Sequence, residues 1–340
     1  MTENDKKHWV TASDVARRAG VSRSAVSRAF SPTASIAPET RERVMQAAQA
    51  LGYQVNMIAR EMIMQRSSMV GVVTAGFENP FRAKLLAQII TALSRQGLTP
   101  LVVNAEDPRQ IKQSLEMLLS YRIAGVIMTS ASPPVGLARQ YLEYRIPVML
   151  INRAENLPGT DVIVSDNAGG AATAVEALAN AGARQLAFVG PTRTSYSAKA
   201  RSEGFARTVK RLGKSGTLRG ATHVSASDTY ECGVATAHAL LGARTRPDGV
   251  FCSSDLLALG LIDTARHHYG LQVPGDLAVV GFDDIPASGY ENYQLTTIRQ
   301  DAPGLADAAV EMLMDRIDSF SGDTRTRVVP VACVTRKTCG

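Results

Sequence analysis

The sequence predicts two fold classes in one chain: an all-α helix-turn-helix headpiece, then an α/β domain of two lobes, each built on a doubly wound parallel sheet. Three observations carry this expectation. Residues 10–51 fall into three short amphipathic stretches parted by turn residues. From Met69 onward, short β-branched runs alternate with amphipathic stretches, the pattern of parallel strands joined by helices. Charge is divided in the same place: residues 1–66 carry ten Lys/Arg against six Asp/Glu, whereas the other 274 carry 27 against 25. A basic excess confined to a small unit suits a polyanion-binding module.

Bulk properties narrow the class. The chain has 340 residues, 45% apolar and 20% charged, so more than one folded unit is expected and disordered or fibrous classes drop out. Cys232, Cys252, Cys333 and Cys339 are scattered without a C-x-x-C pair, which fits a reducing compartment. Residues 1–9 are polar, and no apolar run approaches the ~20 residues of a membrane span. The expected location is the cytoplasm, with no membrane partner.

In the first stretch, the Thr11 hydroxyl can cap a helix and Asp14 can answer it, while Val15, Ala16 and Ala19 make a short apolar face. Gly20 permits the turn, and Ser22 can cap a second helix through Ala25, Val26, Ala29 and Phe30. Two short helices joined by a Gly-containing turn make a helix-turn-helix, whose second helix fits the DNA major groove. Its exposed side chains are Arg23, Ser24, Ser27 and Arg28. After the turn at Ser31 and Pro32, Pro38 suits the first position of a third helix with Val44, Ala47, Ala48 and Leu51 at core spacing. Residues 51–62 form a short segment with a cap-competent Asn56, too brief to be a stable isolated helix.

Farther on, strands are expected over 70–74, 101–104, 124–129, 147–152, 186–190, 249–253 and 277–282, and 325–336 reads as one closing strand. These are too many for one modest sheet. An interruption at 166–170 divides them into two lobes, and ligands in such folds bind beyond the carboxyl ends of the strands.

The motifs Val21-Ser-Arg-Ser-Ala-Val-Ser-Arg-Ala-Phe30, Thr40-Arg-Glu-Arg-Val44 and Leu51-Gly-Tyr53 resemble the lactose/galactose repressor (LacI/GalR) family, and the likeness extends over essentially the whole chain. The resemblance implies a headpiece at 1–55, a hinge at 56–66 and a periplasmic-binding-protein-like domain at 67–340. Its first lobe would span about 67–165 and 298–326, its second about 166–297 and 327–340. It implies that Arg23, Ser24 and Arg28 read bases, with Thr11, Ser22, Ser27, Asn56 and Ala59 also at the DNA. Met62 stands where the family has a leucine that wedges into the minor groove; methionine is an accepted but more flexible wedge. The implied partners are double-stranded operator DNA of near-palindromic sequence, a second copy of the chain and a small effector. No leucine heptads follow the closing strand, so a dimer is expected rather than a tetramer.

The resemblance also gathers the loops carrying Phe81, Arg82, Asp166, Tyr196, Arg201, Asp228, Ser254 and Asp283 around one effector cleft. Arg201 lies in the family's R-x-x-G-[FW] motif, and its planar guanidinium suits paired hydroxyl or carboxylate oxygens. Asp283, in Val280-Gly-Phe-Asp-Asp284, matches the opposing carboxylate. Two positions depart from the family: Asp228 and Arg82 stand where relatives often place aromatics. Less stacking and more charge favour a sugar, sugar acid or polyol over a flat purine, and Arg82 either meets an acid or points to solvent at the rim.

An enzyme on a doubly wound sheet and a solute-binding protein are the alternatives. The sequence has no P-loop, G-x-S-x-G, H-E-x-x-H or post-strand G-x-G-x-x-G, and its five histidines lack metal-like spacing. No catalytic residue, cofactor or metal is expected. A transporter's binding protein would need an export signal and no headpiece.

Overall fold

The computed structural model describes residues 9–31, 34–55, 67–129, 135–153, 158–193, 195–213 and 218–340. It divides into two compact units, residues 1–67 and 68–340.

The first unit holds α1 (Ala12–Ala19), α2 (Arg23–Ala29) and α3 (Pro38–Leu51). Thr11 and Asp14 form the expected capping box, and Gly20 ends α1 in the left-handed region at φ +67°, where a β-carbon would be strained. Val15, Ala16, Val26, Ala29, Val44, Ala47 and Ala48 close a small core, with the Phe30 and Tyr53 rings packed at its side in a tilted pair, centroids 5.5 Å apart.

The second unit contains two six-stranded sheets. The first is built from β1 (Met69–Thr74), β2 (Thr99–Asn104), β3 (Gly125–Met128), β4 (Val148–Ile151), β5 (Asp161–Ser165) and β11 (Thr326–Val329), in the order β11-β5-β4-β3-β1-β2. All of its pairings are parallel. The second comprises β6 (Gln185–Gly190), β7 (Arg219–Val224), β8 (Gly249–Cys252), β9 (Ala278–Asp283), β10 (Thr296–Gln300) and β12 (Val331–Val334), in the order β12-β10-β9-β8-β6-β7. It is parallel except for antiparallel β12. Strand order reverses at β1/β3 and at β6/β8, the switch points where crevices open at the strands' carboxyl ends.

Helices α4 (Pro80–Arg95), α5 (Pro108–Ser120), α6 (Val135–Glu143), α7 (Asn167–Asn180), α8 (Tyr196–Leu212), α9 (Tyr230–Leu241), α10 (Asp255–Tyr269) and α11 (Ala302–Asp318) make the connections. Most start on a polar cap placed just after a strand: Asn79, Asp107, Asp166, Ser195, Thr229, Ser254 and Asp301 each accept a backbone N–H of the first turn. One apolar cluster draws residues from both sheets, including Val70, Ile127, Val189, Val250, Leu261 and Leu305.

Three expectations are corrected. The single closing strand over 325–336 is two strands in different sheets, because Pro330, with no N–H to donate, separates β11 from β12. The lobe crossovers fall later than expected: β10 continues the second sheet to Gln300, and β11 completes the first at Val329. Strands β5, β7 and β10 were not anticipated. β7 is an exposed edge strand with a polar sequence, and β10 has Ile298 as its one apolar residue among Thr, Arg and Gln, so neither shows an apolar run.

Candidate nucleic-acid interface and effector cleft

On the headpiece, Ser22 caps α2, its Oγ accepting from Ala25 N at 3.2 Å and lying 2.8 Å from Ser24 Oγ. Burial of Ala25, Val26 and Ala29 turns the opposite face of α2 outward, so Ser22, Arg23, Ser24, Ser27 and Arg28 are all exposed. Neither Arg23 nor Arg28 is paired with a carboxylate among the described residues, whereas Arg17 meets Asp14 at 3.3 Å. Unpaired guanidiniums on an exposed helix face can form bidentate bonds to guanine or to phosphate. Thr11 is exposed at the start of α1, with its hydroxyl donating to Asp14 Oδ2 at 2.7 Å. Asn56, Ala59 and Met62 lie outside the described residues.

Arg41 was not singled out in the sequence. Its guanidinium donates to the carbonyls of Ala29 at 2.6 Å, Ala34 at 3.2 Å and Ser31 at 3.4 Å. The loop leaving α2 is thereby tied to α3. No periodicity signals this, because the bonds run from a side chain to backbone across 7–12 residues.

In the second unit, a cleft is lined by Phe81, Arg82, Arg201, Asp228, Ser254 and Asp283, together with Asn79, Leu85, Asn152, Ser195, Ser197 and Gln300. Six of the eight expected effector residues therefore meet. Asp166 and Tyr196 are not in the lining: the Asp166 carboxylate accepts Gly169 N at 2.8 Å, and Tyr196 is exposed at the first turn of α8.

Arg201 is buried. Its Nε donates to Asn167 Oδ1 at 2.8 Å, its Nη1 donates to the Ser253 carbonyl and stands 3.7 Å from Asp283 Oδ1, and its Cζ lies 3.5 Å from the centroid of the Phe282 ring. The cation is thus aimed by an amide, a carbonyl and an aromatic face before any ligand arrives. Burial pulls the guanidinium below its usual range, opposed by Asp283, Asp228 and Asp255. Burial also pushes Asp283 up to about 8, and the neighbouring carboxylates of Asp255 and Asp228 add to this against the pull of Arg201.

Asp283 and Asp284 adopt positive φ, +117° and +53°, a costly backbone for non-glycine residues. Arg299 and Arg336 each donate to Asp284 at 2.6 Å and hold that corner. A polar chain continues from Asp283 toward the first sheet. Gln300 Nε2 donates to Asp283 Oδ1 at 2.6 Å, and Gln300 Oε1 accepts from Ser165 Oγ at 2.6 Å and from Asn152 Nδ2 at 3.3 Å. The rule of binding beyond strand carboxyl ends could have found Asn152, which follows β4. Gln300 was hidden because β10 itself was not read. On the far side of Arg201 from Asn167, in the same sheet as Asp283, Ser253 Oγ donates to Asp228 Oδ1 at 2.9 Å.

Residues 11–56 match the model of the bacterial regulatory proteins of the lacI family, and residues 175–339 match that of a periplasmic binding protein-like domain. The HTH-type transcriptional repressor PurR of Mannheimia succiniciproducens is 30% identical over 333 residues, covering 96% of this chain and 98% of that protein. This chain belongs to the lacI family of bacterial regulatory proteins. The ribose operon repressor of Halalkalibacterium halodurans is 30% identical over 331 residues and 96% of each chain. The Lac repressor dimer, solved bound to operator and the anti-inducer ONPF, superposes with a TM-score of 0.87 at 25% identity, covering 97% of this chain and 99% of that one. As a lacI-family member the chain is a DNA-binding, ligand-controlled transcriptional regulator and not an enzyme. The solute-binding alternative is likewise set aside by the family match at 11–56. Among the described residues there is no group of three or more metal-ligating side chains and no helix long and apolar enough to cross a membrane.

Proposed function

We propose that the chain is a repressor that binds a near-palindromic operator as a homodimer and is controlled by a small polar effector, a sugar, sugar acid or polyol. Residues 1–55 are assigned to the DNA, 56–66 to the hinge and 67–340 to effector binding and dimerisation. Closure of the two lobes on the effector would change the spacing of the paired headpieces, a coupling between two distinct sites.

The observation that carries the effector class is the lining of the cleft. It presents Arg82, Arg201, Asp228 and Asp283 with amides and hydroxyls, and Phe81 is the single aromatic ring among the described lining residues. A flat purine needs stacking faces; a polyhydroxy compound needs convergent donors and acceptors, which this wall supplies. The names of relatives point both ways, since PurR and ribose operon repressors are equally similar.

Two variants test the two sites independently. Arg28→Ala should relax base discrimination at one position in each half-site, by about 1–3 kcal/mol, and leave thermal stabilisation by effector unchanged. Arg201→Ala should abolish that stabilisation, which reaches ~2.7 kcal/mol at 100 times the dissociation constant, while operator binding persists. Binding of wild type to scrambled and intact operator with equal affinity would refute the DNA assignment. Retention of an effector shift in Arg201→Ala would move the effector elsewhere.

A further inference from the structure

Resting on this reading of the cleft, the residues around Arg82 narrow the effector further. Charged groups in the lining are mostly satisfied from within the protein. Arg201 is committed to Asn167, the Ser253 carbonyl and Asp283; Asp283 also accepts from Gln300; and Asp228 accepts from Ser253. Arg82 is different. Its guanidinium has no hydrogen bond or ion pair with any described residue, although it is half-buried and lines the cleft. The nearby carboxylate of Glu106 instead accepts from the backbone N–H of Gly76 at 3.2 Å and from Asn104 at 3.3 Å.

The chain also makes room for this arginine. Gly76 has φ +69°, and a β-carbon there would stand 2.3 Å from Arg82 Nη1 and 3.2 Å from its Cδ. The guanidinium therefore lies over the bare α-carbon of Gly76 instead of extending into water. At the same corner, Asn79 Oδ1 already accepts the N–H groups of Phe81 and Arg82, at 3.0 and 3.2 Å, so the start of α4 is capped by the protein. What remains at this end of the cleft is a positioned cation with no ion pair to any described residue.

We propose that the effector carries an anionic oxygen group, a carboxylate or a phosphate, which pairs with Arg82 while its hydroxyls meet Arg201, Asp228 and Asp283. A planar two-oxygen anion matches the guanidinium fork, and a neutral sugar leaves a half-buried cation unpaired.

Matched ligand pairs test this on the full-length protein by calorimetric titration: D-gluconate against D-glucitol, D-glucuronate against D-glucose, and D-glucose 6-phosphate against D-glucose. The expected result is at least tenfold tighter binding of one charged member than of its neutral partner. That advantage disappears in Arg82→Gln. Gly76→Ala, which displaces the guanidinium, loses the same advantage. The pair that responds distinguishes carboxylate from phosphate. Equal binding of charged and neutral members, or an advantage that survives Arg82→Gln, overturns the anionic assignment; if such binding still requires Arg201, the broader effector reading stands. Absence of Arg201-dependent binding across all the pairs overturns both.

Discussion

At the scale of single residues, the cleft concentrates opposed charges away from water. Asp283 is buried, faces Arg201 at 3.7 Å, and has Asp228 and Asp255 among its electrostatic neighbours. Asp255 is itself pushed up to about 6 by burial, despite donors from Ser288 at 2.7 Å and the Ile285 backbone at 2.9 Å. Because the folded-state value for Asp283 lies above its unfolded value, its contribution to stability is fully present below pH ~4 and is lost as pH rises toward 8. Asp283→Asn removes that titration. The melting temperature of the variant relative to wild type should therefore rise from pH 5 to pH 8.5 without ligand. A difference independent of pH would show that Arg201 keeps the carboxylate ionised throughout.

At the scale of elements, the recognition helix is only seven residues long, too short to persist by itself, so its orientation is a product of packing. Val26 and Ala29 anchor it in the small core, and Arg41 ties its exit to α3 through three carbonyls. Removing one partner leaves half-buried acceptors unsatisfied, at a cost of about 1–3 kcal/mol. Arg41→Ala should weaken operator binding at least tenfold at 25 °C while leaving effector binding intact. Unchanged operator affinity would mean that the small core alone holds the helix. The same scale explains the tail: the chain crosses from one sheet to the other at Pro330, where the absent N–H costs no ladder bond.

At the scale of the whole molecule, each lobe repeats one strand order, and the polar chain from Asp283 through Gln300 to Asn152 and Ser165 runs from the second sheet to strand ends of the first. Edge strand β2 and helix α5 expose Val102, Met117 and neighbouring Tyr121, at 44%, 47% and 47%. Apolar side chains on a sheet edge and an adjoining helix fit self-association. Sedimentation should find a dimer at micromolar concentration, and Met117→Asp should shift it toward monomer and weaken binding to the two-half-site operator more than to a single half-site. An unshifted dimer would place the contact on another face.

The sequence by itself determined the division into a basic helical headpiece and a two-lobed α/β domain, because caps, turns and apolar periodicity are local signals that Thr11, Gly20, Ser22 and Pro38 state outright. The family motifs made Arg201 and Asp283 legible as candidates, and the structure sets them 3.7 Å apart in the lining of one cleft. Tertiary structure alone decided the rest. Gln300 and Asn152 enter the site from strand ends far apart in sequence, Arg41 works through backbone carbonyls, Asp166 stays out of the lining, and Tyr196 stays out although Ser195 and Ser197 enter it. Gly76 matters only because Arg82 lies over it. The physical reason is common to all of them: a side chain's reach and partners depend on where other segments pass, and that is a property of the closed fold, not of spacing along the chain.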